Sequence, residues 1–200
     1  MGRRRKGVYT MIVKIAALLV SLCLIGLDQL IKNWAVTVLK PVGSIELIPG
    51  VLHLRYAENF GAAFSILQNR RWLLIVVTAL VLLAIVGLAF SNKVKDRFFI
   101  CTIFLIAAGG FGNLIDRIFW GFVVDYIYFV PINFPIFNLA DCCVVVGMIL
   151  LVIYFFFFES KREREKTSGS ASASDSGRVD SPEALSPSED ADSPGDGQGE

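Results

Sequence analysis

Four aspartates stand at or near the ends of long apolar runs, in a chain whose body has few other acidic residues: Asp28, Asp116, Asp125 and Asp141. Asp125 interrupts a run of β-branched and aromatic residues, where a strand pattern gives no reason for an acid. Two carboxylates that share a site of low dielectric cannot both ionise easily, so their proton affinities separate. The protonated one can polarise a scissile carbonyl, and the ionised one can activate water. Asp125 and Asp141 are therefore a candidate pair for aspartyl-type peptide hydrolysis, which requires neither a metal nor a nucleophilic serine or cysteine.

Asp28 and Asp116 also have a structural interpretation. Asp28 and Lys32 are spaced i, i+4 in the favourable order for a helical ion pair, and the long Lys32 side chain is able to extend outward to water. Asp116 and Arg117 are adjacent, which fits local pairing at the end of a helix. In this interpretation both aspartates stabilise the scaffold and take no part in the chemistry.

The two candidate catalytic residues leave a structural alternative open as well. Asn138 and Asp141 have the N-cap and N3 spacing of a capping box, so the two residues could simply begin a helix. Asp125 could lie on a solvated face of a strand. The residues alone indicate only that the two carboxylates could reach the same membrane face.

Two further motifs contribute small or polar side chains. The third apolar run contains Ala107-Ala108-Gly109-Gly110-Phe111-Gly112, whose small residues permit close approach of helices. An earlier loop contains Asn59-Phe60-Gly61-Ala62-Ala63-Phe64, in which Asn59 offers an amide with two donors and an acceptor oxygen. Helix packing and a plain turn are the structural alternatives for these two motifs.

Four apolar runs are long enough to position these residues in a membrane. The chain of 200 residues is 54% hydrophobic and only 18% charged, which argues against an ordinary soluble enzyme. The runs cover about 11–31, 72–90, 98–115 and 141–158, each close to the roughly 20 residues that a transmembrane helix needs. The first run follows a basic segment, as a signal peptide would. Its length, the lack of a small-x-small cleavage site and the three later runs favour an uncleaved span.

Basic residues indicate how the four spans are oriented. Lysines and arginines concentrate at 3–6, in the 91–97 link and at 161–166, whereas the 32–71 and 116–140 loops carry few for their length. Since positively charged segments stay in the cytoplasm, we expect both termini inside and the two long loops outside. This topology brings all four aspartates to the outer face, where ionisable groups next to hydrocarbon suggest a function.

The two outer loops contain β-strand patterns. Residues 44–56 predict two short strands around Pro49-Gly50, and residues 122–130 are β-branched and aromatic up to Pro131. We therefore predict an all-α membrane protein with four transmembrane helices, N-in/C-in, and a small extracytoplasmic β-sheet.

Composition divides the chain into four segments. A basic cytoplasmic N-terminus (1–10) precedes the membrane domain (11–158), which is followed by a basic cytoplasmic flank (159–166) and a tail (167–200). Residues 1–166 carry a net charge of +8, and the tail carries −7. The tail is rich in serine, glycine, proline and acidic residues and cannot bury a core, so we predict that it is disordered and cytoplasmic.

The same composition argues against several kinds of site. The basic residues form short clusters beside apolar runs and no single patch, which disfavours nucleic-acid binding. Cys23, Cys101, Cys142 and Cys143 lie in apolar runs without zinc spacing, and we expect them to be small buried hydrophobic residues. With His53 as the one histidine, a multi-histidine metal site is hard to build. We predict no metal and no cofactor.

Five short motifs follow one another within residues 10–158. They are Asp28-Gln29-Leu30-Ile31-Lys32, Asn59-Phe60-Gly61-Ala62-Ala63-Phe64, Gly112-Asn113-Leu114-Ile115-Asp116-Arg117, Val123-Val124-Asp125-Tyr126 and Phe137-Asn138-Leu139-Ala140-Asp141. Each is weak alone, but together, on four spans, they resemble the bacterial lipoprotein signal peptidase family, signal peptidase II. This chain has Tyr126 where the family has phenylalanine, and the added hydroxyl beside Asp125 could tune that carboxyl group.

The resemblance implies an aspartyl endopeptidase of the bacterial plasma membrane, with its active site at the extracytoplasmic face. Its substrates would be prolipoproteins that carry diacylglycerol on the lipobox cysteine, and cleavage would fall just before that cysteine. By motif, the catalytic residues would be Asp125 and Asp141. The residues that line the site would be Asn59, Asn113, Arg117 and Asn138, and the supporting residues would be Asp28, Lys32, Asp116 and Gly112.

The resemblance also implies binding partners. We expect membrane lipid and globomycin-type inhibitors to bind, no nucleic acid to bind, and a monomer as the default state. Two alternatives are a small transporter, which would hold charges near the bilayer midplane, and a non-enzymatic membrane assembly protein, which would tolerate Asp125→Asn. A presenilin-type protease would place its aspartates well inside the spans.

Overall fold

The computed structural model describes residues 2–61, 70–91 and 94–159. The predicted tail (167–200) and most of the predicted basic flank (159–166) lie outside the described residues.

Four helices contain the four apolar runs: α1 (Gly2–Trp34), α2 (Arg71–Phe90), α3 (Arg97–Phe119) and α4 (Leu139–Tyr154). Each of them, together with the helical turns that continue it, is long and apolar enough to cross a membrane. The prediction of four helices of membrane-spanning length is therefore confirmed.

The first helix extends further than the first apolar run. The chain stays helical through a π-helical turn, Ala35–Leu39, and a last turn, Lys40–Val42. Pro41 is tolerated near the start of that last turn, and Gly43, at a φ of 85°, ends it. The segment predicted as the first outer loop, 32–71, consequently begins as helix.

The third helix is the centre of the bundle and packs against the other three. Most of its buried residues are aliphatic or small, among them Ile100, Ile103 and Ala107, and Phe104 and Asp116 are buried as well. At Gly109 an added Cβ would meet the carbonyl oxygen of Ala140, so α4 approaches α3 as closely as the backbone allows. This close approach brings the first turn of α4 beside the C-terminal half of α3.

The outward faces of α1, α2 and α4 are apolar. Leu19, Leu80 and Ile149 are each more than half exposed, which fits a hydrocarbon environment. Cys23 and Cys101 are exposed as well, so the expectation of buried cysteines is wrong for these two. In a lipid-facing position a thiol still behaves as a small apolar group, which is why the residue type alone did not distinguish the two environments.

A three-stranded antiparallel sheet follows the predicted strand pattern. Its order is β1 (Ser44–Ile48), β2 (Leu52–Asn59) and β3 (Val123–Phe129). The turn between β1 and β2 contains Pro49-Gly50, and β3 ends in a 3₁₀ turn that contains Pro131. The small sheet predicted from the sequence is confirmed.

The sheet packs against the end of the first helix. Val124 and Tyr126 of β3 share a core with Ala35 and Leu39. A short turn joins α3 to β3, and β3 leads into α4, so the sheet lies where α1 and α3 end and where α2 and α4 begin. Asp125 on β3 and the first turn of α4 therefore lie at the same end of the bundle.

Candidate active site

Asp125 is a buried carboxyl group held by two amides. Its Oδ1 accepts a hydrogen bond from Nδ2 of Asn138 at 2.6 Å, and its Oδ2 accepts one from Nδ2 of Asn59 at 3.1 Å. The side chain is 2% exposed, which rules out the solvated strand face. Burial, and then the neighbouring charge of Asp141, raise the pKa of Asp125 to about 7, against the opposing effect of the two amides.

Asp141 lies in the first turn of α4, where it completes a capping box. Its backbone N–H donates to Oδ1 of Asn138 at 2.9 Å, and the backbone N–H of Asn138 donates to Oδ2 of Asp141 at 3.2 Å. This part of the structural interpretation is confirmed. The capping box does not use the whole carboxylate, because Oδ1 of Asp141 accepts a hydrogen bond from Nδ2 of Asn113 at 2.7 Å.

Two asparagines join the two aspartates into one cluster. Nδ2 of Asn138, which binds Asp125, also lies 3.1 Å from Oδ1 of Asn113, whose own Nδ2 binds Asp141. Asn138 is fully buried, and α3, β3 and α4 each contribute to the cluster. The structure therefore brings together the two carboxylates that the sequence suggested as a pair, and the charge of Asp141 contributes to the raised pKa of Asp125.

A buried ion cluster lies directly behind this pair. Nζ of Lys32 is 2.8 Å from Asp28, 2.9 Å from Asp116 and 3.0 Å from Oδ1 of Asn113. The predicted i, i+4 pair is confirmed, but Lys32 is only 3% exposed, so the expectation that it extends outward is wrong. The ion-pair partner of Asp116 is Lys32 rather than the adjacent Arg117, because Asp116 points from α3 towards α1.

The two carboxylates of the ion cluster also fix the backbone of the elements that carry the site. Oδ1 of Asp28 accepts the N–H of Ala140 in α4 at 3.0 Å, and Oδ2 of Asp116 accepts the N–H of Val124 in β3 at 3.1 Å. Gly112 makes room for this, since a Cβ there would lie 2.7 Å from Oδ2 of Asp28. Asp28 and Asp116, both paired with Lys32, therefore attach α4 and β3 to the centre of the bundle.

Arg117 binds the chain just beyond the second strand. Its Nη2 donates to the carbonyl oxygen of Gly61 at 2.9 Å, and the N–H of Gly61 donates to Oδ1 of Asn59 at 3.0 Å. Asn59 is thereby held with its Nδ2 towards Asp125. The remaining positions of that motif, 62–64, lie outside the described residues.

Two contacts differ from the sequence analysis or were missed by it. The hydroxyl of Tyr126 accepts the N–H of Leu139 at 3.2 Å rather than lying beside Asp125, because successive strand residues point to opposite faces. Gln29, which was quoted in a motif but given no role, donates to the carbonyl oxygen of Gly112 at 3.1 Å and to Oδ1 of Asp116 at 2.9 Å. A polar residue beside Asp28 in an apolar run was the available signal.

The pair of carboxyl groups, Asp125 and Asp141, suits acid-base chemistry on a polar bond that is held near one end of the helices. The part of the chain that the structure describes contains no group of three or more His, Cys, Asp or Glu side chains able to hold a metal ion. Four membrane-length helices and a coupled pair of carboxylates at one end of them define a multi-pass membrane protein with an aspartate-pair site.

Comparison with known proteins narrows this class to one family. The family model for signal peptidase (SPase) II matches residues 20–157. The chain belongs to the signal peptidase II family, so it is an aspartic-type signal peptidase II hydrolase and a multi-pass protein of the plasma membrane.

Curated relatives and solved structures agree with this assignment. A lipoprotein signal peptidase of Clostridioides difficile is 48% identical over 145 residues, which cover 72% of this chain and 97% of the relative. One from Streptococcus thermophilus is 43% identical over 138 residues, covering 69% and 90%. A solved structure described as a bacterial membrane enzyme, obtained by the in meso method at 2.3 Å, is 32% identical with a TM-score of 0.69 and covers 73% of this chain and 90% of its own.

Proposed function

We propose that this enzyme removes the signal peptide from prolipoproteins that already carry diacylglycerol on the lipobox cysteine, and that it cleaves just before that cysteine. The contact that carries the proposal is the double role of Asn138, which binds Asp125 through its side chain and Asp141 through its backbone. A diacylated substrate is held in the bilayer, so its scissile bond lies near the headgroups. The dyad at the end of the helices matches that depth.

Asp125 and Asp141 are the catalytic dyad, and they share one proton. The raised pKa of Asp125 and the position of Asp141 near the positive end of a helix dipole favour a protonated Asp125 and an ionised Asp141. The shared proton therefore resides more often on Asp125, and Asp141 acts as the base.

Hydrolysis then proceeds in two steps. Asp141 takes a proton from water as the water oxygen bonds to the scissile carbonyl carbon, and Asp125 gives its proton to the carbonyl oxygen. The resulting neutral diol collapses when its C–N bond breaks. Asp141 passes its proton to the leaving nitrogen, and one diol hydroxyl returns a proton to Asp125. The products are the carboxyl end of the signal peptide and the free amine of the lipidated cysteine, with the dyad restored.

The remaining site residues position the dyad and the substrate. The amides of Asn59, Asn113 and Asn138 already bind the two carboxylates, and Arg117 holds the chain beside Asn59. The supporting residues are Asp28, Lys32, Asp116 and Gly112. Their hydrogen bonds to backbone groups of α4 and β3 support this role.

The sheet and the dyad face the extracytoplasmic side, with both termini inside. The start of α1, which carries the basic segment 3–6, and the basic residues Lys95 and Arg97 belong to the end of the bundle opposite the sheet, which fits the positive-inside rule. The three tryptophans of the chain, Trp34, Trp72 and Trp120, stand at helix ends beside the sheet and are 37%, 72% and 56% exposed. Tryptophan prefers the membrane interface, which supports a dyad at headgroup depth.

The remaining expectations belong to the same proposal. Lipid contacts the apolar helix faces, globomycin-type inhibitors occupy the dyad site, the enzyme acts as a monomer, and the acidic tail is cytoplasmic. The segment boundaries are those given by composition, with the membrane domain at 11–158. The family assignment leaves no observation in favour of a transporter or a non-enzymatic assembly protein.

Cleavage of a diacylglyceryl-modified prolipoprotein by purified protein in detergent tests the proposal. Wild type cleaves at the lipidated cysteine, and Asp125→Asn and Asp141→Asn abolish cleavage while remaining folded. Asp96→Asn is the matched control, since Asp96 caps α3 by accepting the N–H of Phe99 and asparagine caps equally well. Cleavage by either dyad variant would contradict the assignment of Asp125 and Asp141 as the catalytic pair. A folded wild type that does not cleave would contradict the substrate assignment.

A further inference from the structure

Arg71, the first residue of α2, binds the carbonyl end of α3. Its Nε donates to the carbonyl oxygen of Arg117 at 2.8 Å, and its Nη2 donates to the carbonyl oxygen of Ile118 at 2.7 Å. The last carbonyls of a helix have no partner within the helix, and a cation there interacts favourably with the helix dipole. The planar guanidinium suits two neighbouring acceptors, which a lysine ammonium would not bind in the same fixed geometry.

The turn that follows α3 is shaped around the same guanidinium. Gly121 has a φ of 86°, and a Cβ at this position would lie 3.4 Å from Nη1 of Arg71. This turn leads into β3, which begins at Val123 and carries Asp125. Arg71 therefore contacts both the end of α3 and the turn that sets the start of β3.

Arg117 connects this contact to the dyad. The Arg71 side chain binds the backbone carbonyl of Arg117, and the Arg117 side chain binds the carbonyl oxygen of Gly61. The N–H of Gly61 binds Asn59, whose amide donates to Asp125. A continuous series of hydrogen bonds thus runs from the first turn of α2 to one carboxyl group of the dyad.

We infer that Arg71 is a positioning residue for the hydrolysis, acting through Arg117 on the amide that holds Asp125. The inference rests on the proposed function, and it adds a residue that none of the five motifs contains. Without Arg71, the carbonyls of Arg117 and Ile118 lose their hydrogen-bond donor. The backbone that carries the Arg117 guanidinium is then less firmly held. The Asn59 amide then binds Asp125 less well.

A change in the Asn59 contact affects the protonation of the dyad as well as its geometry. The Asn59 hydrogen bond lowers the pKa of Asp125, and burial and Asp141 raise it. Within the part of the chain that the structure describes, Lys32 of α1 and Arg117 of α3 also act on Asp125. Because a protonated Asp125 is the active form, weakening the Asn59 contact moves the alkaline limb of the activity profile to higher pH.

The experiment compares Arg71→Gln, Arg71→Lys and the matched control Arg70→Gln, as full-length proteins in detergent with the lipidated prolipoprotein substrate. Arg70 is exposed, so Arg70→Gln removes the same charge one position away without removing these contacts. In Arg71→Gln, kcat falls by up to about 100-fold, since a displacement of about 1 Å in a catalytic group has an effect of this size. KM stays near the wild-type value, and the alkaline limb moves upward. In Arg71→Lys the alkaline limb moves upward by a smaller amount. If Arg71→Gln does not fold, the comparison is made with Arg71→Lys instead.

The outcomes separate a positioning role from a merely structural one. A loss of kcat without any movement of the alkaline limb, or an Arg71→Gln enzyme that behaves like Arg70→Gln, overturns the inference and leaves the proposed function intact. A wild type that does not cleave the substrate overturns the proposed function itself.

Discussion

The side-chain amide of Asn138 donates a hydrogen bond to Oδ1 of Asp125 over 2.6 Å. Its other end, Oδ1, accepts the backbone N–H of Asp141 at 2.9 Å, so one side chain caps α4 and holds β3. Helix capping and support of the proposed dyad, which appeared as alternatives in the sequence, are therefore compatible roles of Asn138.

The two roles of Asn138 can be separated by substitution. Asn138→Ser keeps a good N-cap but removes the amide donor, whereas Asn138→Ala removes both. We expect kcat to fall by about 5- to 100-fold in both variants, because a buried carboxyl group left without a hydrogen-bond partner costs about 1–3 kcal/mol. Only the alanine variant should lose about 1 kcal/mol more of stability through the missing cap. Activity assays and thermal unfolding in detergent measure the two effects, and a serine variant with wild-type activity would contradict the role of the amide.

Removal of the charge of Lys32 should destabilise the fold severely. Lys32→Met leaves Asp28 and Asp116 buried without their cation, and an uncompensated buried charge costs about 3–5 kcal/mol. Lys40→Met is the matched control, because Lys40 is exposed in its surface pair with Glu58, and a solvent-screened surface pair contributes little to stability. The comparison requires folded yield and Tm in detergent. Equal losses of stability in the two variants would show that Asp28 and Asp116 do not depend on the Lys32 charge.

A methyl group at Gly112 should displace Asp28. In Gly112→Ala the new Cβ would lie 2.7 Å from Oδ2 of Asp28 and 3.1 Å from the Cβ of Ala140. We expect a loss of about 1–3 kcal/mol from overpacking and reduced activity, since Asp28 holds the first turn of α4. Gly26→Ala is the control, because nothing lies within 4 Å of a Cβ there. The idea fails if both alanine variants unfold at the same temperature and cleave at the same rate.

The stability of the protein should fall as pH rises through the range in which Asp125 titrates. The pKa of Asp125 is about 7 in the folded protein against an ordinary value of 3.8, so the folded state retains a proton that the unfolded state releases. This contribution is complete below about pH 4, decreases by about 1.4 kcal/mol per pH unit and is lost above about pH 7.

Thermal unfolding of wild type and Asp125→Asn across this pH range measures the effect. The asparagine variant lacks the titrating group, so its Tm should depend less on pH than that of wild type. Asp96→Asn should retain the wild-type dependence. A wild type and an Asp125→Asn variant with parallel pH profiles would show that Asp125 ionises normally in the folded protein.

Local features of the fold followed directly from short stretches of sequence. Apolar length predicted the four helices, Pro49-Gly50 predicted the turn between two strands, and the spacing of Asn138 and Asp141 predicted the capping box. The helical continuation of α1 from Ala35 to Val42 was missed, because its buried residues Ala35 and Leu39 pack against the sheet, a contact that lies far apart in the sequence.

What the sequence by itself determined was which groups lie within a turn of one another, and which ends of the spans carry aspartate. Only the tertiary structure decided their partners. Asp116 pairs with Lys32 of α1 rather than with the adjacent Arg117, and Tyr126 binds the start of α4 rather than its neighbour Asp125. The physical reason is that a buried polar group binds whatever donor or acceptor the packed helices and strands bring to it, and the spacing of two residues along the chain does not record which elements pack together.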